Sequence, residues 1–389
     1  MLYLDYASTA PPYDEVVDTM AEVMKRHFGN PSSLHRLGVD AERLVGQARA
    51  VIAGSLGCQS EEIIFTSGGT ESNNAAILGA ARQFRHRGNH VITTEIEHAS
   101  VYETFGALER QGYRVTYLPV DSSGQVELDA LEQALDKNTI LLSVMAVNNE
   151  MGRIQPIERI GELLRRKDSK AIFHVDAVQA VGKLPLSLAP WRIDLLTGSA
   201  HKLRGPRGVG FLYRRRGLEL TPLMWGGGQE YGVRSGTENV PAIVGMAKAV
   251  RMAMDRQPQF YGHTSRLREQ FVQGIQAIPE LTLSGSINAA DMAPHIVHFS
   301  FPGMKSEVLV HALEQRDIYV SVRSACSSKA VDPSRVLKAM GYDDARAVSG
   351  IRISFSLEQT TQEAELFSRT LKRIVDELKP SIIDHIRRR

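Results

Sequence analysis

Between residues 61 and 213 the sequence alternates short apolar runs with segments of helical character. Each run is rich in β-branched residues and too short for a typical helix, as expected of buried strands. Alternation of this kind predicts an α/β fold, in which a largely parallel sheet carries helices on both faces. The runs are IIFT (63–66), HVITT (90–94), YRVTYLPV (113–120), ILLSVMAV (140–147), AIFHV (171–175), DLLTGS (194–199) and GVGFLY (208–213), and helices are expected at 71–87, 98–111, 127–136 and 156–167.

Polar residues collect where these apolar runs end. Residues 97–98 (Glu-His) follow the second run, 148–150 (Asn-Asn-Glu) the fourth, Asp176 the fifth and 201–202 (His-Lys) the sixth. The carboxyl ends of parallel strands meet at one edge of a sheet, and open α/β sheets bind their ligands there. The sequence therefore predicts an active site at this edge.

Two of these residues point to a particular cofactor. Lys202 stands just past a probable strand, where an amine can reach into a crevice and form a Schiff base with a carbonyl. Asp176 ends the preceding strand. Pyridoxal phosphate needs both a lysine for the imine and an acid that keeps its ring nitrogen protonated. Taken singly, Lys202 could equally be a solvated surface charge and Asp176 a helix N-cap.

A candidate phosphate site lies earlier in the chain, where strand 63–66 runs into the helix-like segment that begins near Glu71. Gly68 and Gly69 permit positive φ and a close approach of the backbone, and Thr70 offers a hydroxyl. Strand, glycine turn and helix start together aim free backbone N–H groups at an anion. The stretch matches neither the P-loop nor the Rossmann fingerprint. The alternative is an ordinary strand-to-helix turn.

Composition excludes several other classes of protein. The chain has 389 residues, enough for two domains, and its formal charge of +2 gives no reason to expect nucleic-acid or membrane binding. It has no apolar run of 18 residues and no signal-peptide pattern at the amino end. Its two cysteines, Cys58 and Cys326, exclude a disulfide framework and favour a cytoplasmic location. Without CxxC or HExxH patterns, no metal site is expected.

The sequence pattern changes near residue 255. Glycine-rich stretches at 226–230 and 234–239 precede a helix from Pro241 to about Met254, which Gln257-Pro258 is expected to end. The mixed elements beyond it predict a smaller α+β domain. These are helices at 264–278, 305–315, 333–340 and 360–378, and strands near 281–284, 295–301, 318–322 and 351–355.

With these residues assembled, the chain resembles the cysteine desulfurases of the NifS/IscS type. These belong to the class V aminotransferase group of fold-type I pyridoxal phosphate enzymes. The resemblance implies a large domain with a mainly parallel seven-stranded sheet (15–255) and a smaller α+β domain that carries the Cys326 loop (256–389). It also implies an N-terminal arm (1–14) that packs with the small domain. The motifs that carry it, in order, are LDYASTA, GNPSSLH, FTSGGTESNN, EHAS, VNNEMG, HVDAVQ, SAHK, RSGTEN and SACSS.

The resemblance assigns a cofactor role to residues throughout the large domain. It implies that Lys202 forms the Schiff base and Asp176 pairs with the pyridinium nitrogen, while His98 stacks on the ring and shuttles protons. Asn148 and Gln179 would contact the phenolic oxygen and its surroundings. Gly69, Thr70, Ser199 and His201 would hold the phosphate, and Thr237 would reach the phosphate of a neighbouring subunit, which implies a homodimer with shared sites.

The resemblance also implies the reaction. Arg352 would bind the carboxylate of L-cysteine, together with Asn148, and the thiolate of Cys326 would take the sulfur as a persulfide. Lys202 would move protons, and the products would be alanine and a sulfur atom for an acceptor protein. That acceptor would serve iron–sulfur cluster assembly or tRNA thiolation. Without the resemblance, Cys326 could equally be an inert buried thiol.

Two positions depart from the usual family pattern. Arg323 replaces a common glycine three residues before the nucleophile, and we hypothesise that its guanidinium favours the thiolate of Cys326. The alternative is that it faces solvent or an acceptor. An unchanged pH curve for alkylation of Cys326 in Arg323→Ala would disprove the hypothesis. The second departure follows Arg352, where the chain reads ISFSLEQ instead of a serine-leucine-glycine run, which affects the expected shape of the pocket.

Two other functions remain possible from the sequence. A selenocysteine lyase or another class V aminotransferase would use the same cofactor but would not depend on Cys326 in the same way. A non-catalytic scaffold for sulfur-transfer partners would lack a lysine-bound cofactor and its absorbance.

Overall fold

The computed structural model describes residues 1–322 and 333–387, with side chains as far as residue 380. No helix within these ranges is long and apolar enough to cross a membrane. The helices are α1 (Asp14–Arg26), α2 (Arg36–Leu56), α3 (Gly69–Gln83), α4 (Ala99–Arg110), α5 (Leu128–Ala134), α6 (Ile157–Arg166), α7 (Val240–Asp255), α8 (Gln257–Gln276), α9 (Ser306–Glu314), α10 (Arg335–Ala339), α11 (Asp344–Ala347) and α12 (Thr361–Arg387). The strands are β1 (Leu2–Tyr3), β2 (Ile63–Thr66), β3 (His90–Thr94), β4 (Arg114–Leu118), β5 (Thr139–Met145), β6 (Ile172–Asp176), β7 (Leu195–Ser199), β8 (Gly210–Arg214), β9 (Thr282–Leu283), β10 (Ile296–Ser300), β11 (Ile318–Tyr319) and β12 (Gly350–Ser354).

Within the described residues, seven strands form the main sheet, in the order β2-β8-β7-β6-β5-β3-β4. The pairs from β7 across to β4 are parallel, whereas β8 is antiparallel to both β7 and β2. Strand β8 returns antiparallel because the link from β7 has no crossover helix, which a parallel neighbour would need. This sheet confirms the predicted α/β fold and its mainly parallel, seven-stranded arrangement.

Both faces of the main sheet are buried, which explains why its strands read as continuous apolar runs. Leu141 and Leu195 point into the apolar cluster that helices α3 and α4 cover. The next residues along each strand, Leu142 and Leu196, point into the opposite cluster, which α2, α6 and α7 cover. These four leucines therefore pack against helices on one face of the sheet or the other.

The C-terminal part of the chain builds a second apolar core around the antiparallel sheet β12-β10-β9. Phe271 of α8 lies 4.9 Å from Phe355 and 5.5 Å from Phe367 of α12, measured between ring centroids. Leu2 and Leu4 of the N-terminal segment belong to this core, and β1 pairs in parallel with β11. The domain boundaries at residues 14 and 255, predicted from the sequence, stay a prediction.

Several boundaries differ from the sequence-based expectation. Gln257-Pro258 begins α8 and does not simply end the preceding helix, because a proline in the first helical turn has no N–H to leave unsatisfied. Helix α2 begins at Arg36, and His35 caps it by accepting from the backbone N–H of Gly38. Strand β11 ends at Tyr319, short of the predicted 322.

Candidate active site

A cavity of about 220 Å³ opens at the carboxyl ends of β6 and β7, beside the start of α3. This is the sheet edge at which the sequence predicts ligand binding. The cavity brings together residues that are far apart in the chain. Its lining consists of Ala7, Ser8, Gly69, Thr70, Asn73, His98, Ser100, Met145, Val147, Asn149, Asp176, Val178, Gln179, Ser199, His201, Lys202 and Arg352.

Lys202 sits in the short 3₁₀ turn Ala200–Lys202 that directly follows β7. Its Nζ atom donates to the backbone carbonyl of Ala7 at 2.8 Å and to that of Ser8. The N-terminal segment therefore supplies the acceptors that orient the amine. This contact has no signal in the sequence, because every residue type supplies a backbone carbonyl.

Asp176 ends β6 and is held from two sides. Its Oδ1 accepts from the backbone N–H of Val178 at 3.0 Å, and its Oδ2 accepts from Nδ2 of Asn73 at 2.8 Å. The second amide hydrogen of Asn73 goes to Oγ of Ser100 at 2.8 Å. A carboxylate fixed in this way keeps lone pairs for a further donor in the cavity.

His98 continues the same hydrogen-bond chain. Its Nδ1 accepts from the backbone N–H of Ser100 at 3.2 Å and lies 2.8 Å from Oγ of that residue, so it caps α4. Burial lowers the pKa of His98, although the charge of Asp176 opposes the shift. The imidazole is therefore neutral at pH 7, with its proton on Nε2, the ring atom available to the cavity.

Asn73 and Ser100 are site residues that the sequence analysis missed. Both lie inside the motifs FTSGGTESNN and EHAS, in which the resemblance gives roles only to Gly69, Thr70 and His98. Asn73 lies one helical turn after Thr70 on α3, a spacing that places two side chains on one helix face and was the available signal.

The start of α3 forms the anion-binding end of the cavity. Gly68 has φ of +151°, which disfavours other residues, and a Cβ on Gly69 would meet Cγ2 of Val178 at 3.0 Å. The first backbone N–H groups of a helix have no intrahelical acceptor, so they attract an anion. Thr70 and the buried Ser199 add hydroxyl groups to this end.

His201 also lines the cavity and is neutral. Burial, followed by repulsion from Lys202 and Arg207, lowers the pKa of His201 to about 3. Its Nδ1 lies 3.2 Å from Oγ1 of Thr9. A neutral imidazole can donate one hydrogen bond to an anion without being titrated near pH 7.

Arg352 enters the cavity from the C-terminal sheet, where it lies in β12 and is 1% exposed. Its guanidinium donates to the backbone carbonyl of Asn149 at 2.6 Å and to Oδ1 of Asp5 at 2.9 Å. It also donates to Oγ of Ser8. A planar, permanently charged fork at this place suits a carboxylate ligand.

The structure corrects one predicted site residue. Asn148 is fully buried and does not line the cavity, since its Nδ2 donates to the carbonyl of Ile96 and its Oδ1 accepts from the backbone N–H groups of Glu150 and Met151. The next residue, Asn149, lines the cavity instead. Asn148 shapes the loop that presents its neighbour.

The remaining predicted residues divide into three cases. Gln179 lines the cavity, donates to the carbonyl of Ala7 and accepts from Nζ of Lys183. Thr237 is exposed and lies away from this cavity. Cys326 and Arg323 lie outside the described residues.

The lining residues fit pyridoxal phosphate. An amine, a fixed carboxylate and the anion-binding start of α3 surround one cavity. Any side chain at position 69 would fill the space beside Val178 that Gly69 leaves open. In addition, Oδ1 of Asn73 is buried without a partner among the described residues, so a polar ligand group would satisfy it. No residue of the lining conflicts with this cofactor.

Comparison with known proteins agrees with this geometry. The profile of the aminotransferase class-V family matches residues 2–367. A NifS/IcsS protein homolog of Lactobacillus delbrueckii subsp. bulgaricus is 46% identical, over 94% of this chain and 95% of its own length. The cysteine desulfurase IscS of Clostridium botulinum is 41% identical, over 96% of this chain and 94% of its own. A solved structure of a NifS-like protein has a TM-score of 0.91 and 38% identity, and covers 97% of this chain and 100% of its own.

The resemblance stated from the motifs is thus confirmed over nearly the whole length of the chain. The family profile, the identities and the structural superposition all point to the same group. The chain belongs to the aminotransferase class-V family, within its NifS/IscS group of pyridoxal-phosphate-dependent cysteine desulfurases.

Proposed function

We propose that the chain converts L-cysteine to L-alanine and carries the sulfur as a persulfide on Cys326 for transfer to an acceptor protein. The observation that carries this proposal is the convergence of Lys202, Asp176, the start of α3 and Arg352 on one cavity. In the overall reaction the carbon–sulfur bond of cysteine breaks. Its sulfur joins the thiol sulfur of Cys326, and the carbon left behind gains a proton.

Pyridoxal phosphate, when bound, supplies an electron sink for the charge that develops at the substrate carbon. The residues that would hold its phosphate are Gly69, Thr70, Ser199 and His201, at the helix start and the end of β7. Asp176 would bind the ring nitrogen, and its own bonds to Asn73 and Val178 support that carboxylate. His98 and Gln179 would contact the ring face and the ring oxygen.

Lys202 is proposed to move protons at the reacting carbon. Its amine reaches the cavity from the end of β7, and the carbonyls of Ala7 and Ser8 hold Nζ at a defined place. A base held within hydrogen-bond reach of the substrate contributes about a hundredfold to ten-thousandfold to a proton transfer. The position of the Lys202 amine therefore depends on the N-terminal segment as well as on β7, the strand that precedes it.

Arg352 is proposed to bind the substrate carboxylate, with Asn149 in the role first expected of Asn148. The guanidinium is buried and already ordered by Asp5, Ser8 and the carbonyl of Asn149. A donor ordered in advance loses little entropy when the carboxylate binds.

We further propose a homodimer in which Thr237 reaches the phosphate in the partner subunit. The exposure of Thr237, away from the cavity of its own subunit, supports this arrangement. The acceptor would be a protein of iron–sulfur cluster assembly or of tRNA thiolation. The low cysteine content supports a cytoplasmic location.

One experiment tests the persulfide directly, and the chain provides its own control. The protein is incubated with L-cysteine, alanine is measured, and the persulfide is mapped by mass spectrometry. We expect alanine and a persulfide on Cys326, with none on Cys58, because burial raises the pKa of the Cys58 thiol to about 12 and leaves little thiolate.

Two serine variants complete the test. Cys326→Ser should retain the cofactor absorbance and lose desulfuration, whereas Cys58→Ser should retain both. Full turnover in Cys326→Ser would refute the persulfide step and favour a selenocysteine lyase or another class V aminotransferase. A colourless protein with no lysine-bound cofactor would refute the enzyme and favour a scaffold.

A further inference from the structure

A second cavity, of about 40 Å³, adjoins the active-site cavity at Lys202. The side chain of Lys202 lines both cavities, so the second one adjoins the proposed catalytic amine. Its volume accommodates a few small atoms and excludes an amino acid or a nucleotide. The lining consists of Tyr6, Ala10, Tyr13, Gly182, Lys183, Lys202, Leu203, Arg204, Ala253, Arg256, Phe260, His295, Phe355, Ser356 and Leu357.

His295 presents unsatisfied polar atoms to this cavity. The residue is 1% exposed, its ring packs 5.6 Å from the ring of Phe260, and neither ring nitrogen has a hydrogen-bond partner among residues 1–322 and 333–387. Buried polar atoms are nearly always paired with protein, water or a ligand. Burial, followed by repulsion from Lys183, lowers the pKa of His295, so the ring is neutral and keeps one N–H to donate.

Lys183 supplies a buried amine to the lining of the same cavity. It is 6% exposed, and in the part of the chain that the structure describes its Nζ donates only to Oε1 of Gln179, at 3.2 Å. No carboxylate of that part forms an ion pair with it. A buried ammonium without a counter-charge is costly, so the group either loses its proton or acquires an anion.

The charged residues around the second cavity are all cationic. Its lining includes Lys183, Lys202, the half-buried Arg204 and the exposed Arg256. Arg204 is paired with Glu358, which does not itself line the cavity. A small cavity whose lining holds several cations and no carboxylate concentrates anions from solution.

We propose that the second cavity binds one small inorganic monoanion of the size of chloride, held by the ammonium of Lys183 and an N–H of His295. This ligand satisfies both groups, and water alone would leave the charge of Lys183 without a counter-ion. The anion would also offset positive charge beside Lys202. The anion would therefore be a ligand, distinct from the substrate, that lies beside the proposed catalytic amine of Lys202.

The proposal also predicts a dependence on pH. Burial, with repulsion from Lys202 and Arg352, lowers the pKa of Lys183 to about 7 in the absence of an anion. An anion favours the protonated amine, so its binding takes up a proton and weakens as the pH rises above that value. The charged and titratable groups around Lys183 are Lys202, His201, Arg204, Arg256, His295, Arg352, the lining tyrosines Tyr6 and Tyr13 and, through Arg204, Glu358.

Bromide identifies the site crystallographically, since it replaces chloride and scatters anomalously. Crystals of the holoenzyme are soaked in sodium bromide. We expect an anomalous peak in the second cavity, within hydrogen-bond distance of Lys183 Nζ and a ring nitrogen of His295. Water density without an anomalous peak would overturn the proposal.

A solution measurement tests the same site in variants. The Tm of the holoenzyme is measured in sodium chloride and in sodium gluconate of equal ionic strength, because gluconate is too large for the cavity. We expect chloride to raise the Tm saturably by about 1 to 3 °C at pH 6.5. The rise should disappear in Lys183→Met and in His295→Phe.

The matched control is Lys170→Met, which removes an exposed lysine paired with Asp168 and should keep the chloride response of the parent. An equal chloride response in the parent, Lys183→Met and His295→Phe would overturn the proposal. If neither variant of the cavity folds, the bromide peak in the parent decides. Each measurement is independent of turnover, so the site can fail while the desulfurase function stands.

Discussion

Nη2 of Arg352 lies 2.9 Å from Oδ1 of Asp5, in an ion pair that joins the C-terminal sheet to the N-terminal segment at the wall of the active-site cavity. The guanidinium is 1% exposed, whereas the carboxylate retains some contact with solvent. A buried charge of this kind depends on its partners, because removal of one partner leaves the other uncompensated. Through the proposed role of Arg352, binding of the cysteine carboxylate would be connected to the order of the N-terminal segment.

Arg352→Lys should weaken cysteine binding without loss of the cofactor. Lysine keeps the charge but lacks the planar fork, so we expect KM for L-cysteine to rise by about tenfold to a hundredfold. Steady-state kinetics measures this, and the cofactor absorbance should stay at the parental level. The control is Arg369→Lys on the exposed face of α12, which should match the parent. An unchanged KM in Arg352→Lys would remove this residue from substrate binding.

Lys202→Ala should abolish both turnover and the covalent attachment of the cofactor. Borohydride reduction followed by peptide mass spectrometry should find a pyridoxyl group on Lys202 in the parent and none in the variant. Lys183 is a buried amine that lines the second cavity together with Lys202, and it should remain unmodified in both proteins. A pyridoxyl group on Lys183 of the parent would reverse the assignment.

Asn148→Ala should lower stability, whereas Asn149→Ala should alter catalysis. The first removes a side chain with three buried hydrogen bonds to backbone groups, so we expect a loss of about 2 kcal/mol of stability and a lower Tm. The second removes a side chain that lines the cavity and should alter kinetics with little change in Tm. Thermal melting and kinetics on both variants distinguish them. A stable Asn148→Ala with impaired cysteine binding would restore the original prediction.

Glu97→Gln should change how stability depends on pH. Burial raises the pKa of Glu97 from its ordinary 4.5 to about 8, even though Met145 and Thr94 donate to its carboxylate. The folded state therefore holds a proton that the unfolded state has lost, so the contribution of Glu97 to stability is fully present below pH 4.5 and is lost as the pH rises to about 8.

Glutamine keeps the accepting Oε1 and has no proton to lose, so the variant should gain stability over the parent as the pH rises from 5 to 8. The difference in Tm between variant and parent, measured across this range, isolates the effect of Glu97. The charges that face it, Asp176 and Arg335, are the same in both proteins. A difference that does not vary with pH would show that Glu97 is ionised in the folded state.

Much of the fold and part of the site could be predicted because the relevant signals are local. The apolar runs that mark the strands depend on neighbours within a few positions, as in the run that contains Leu141 and Leu142. The motifs around Asp176 and Lys202 are short as well, and they led to the family that the comparisons confirmed. Helix boundaries were less accurate, since Pro258 fits either the end of one helix or the first turn of another.

The sequence alone determined the α/β sheet, the edge at which polar residues gather and the family to which the chain belongs. Tertiary structure alone decided that Asn149 rather than Asn148 faces the cavity, and that Asp5 pairs with Arg352. It also placed the carbonyl of Ala7 beside Lys202, across 195 positions of the chain. The physical reason is that strand and helix patterns repeat over a few residues, whereas contacts across such distances exist only after every intervening element has packed.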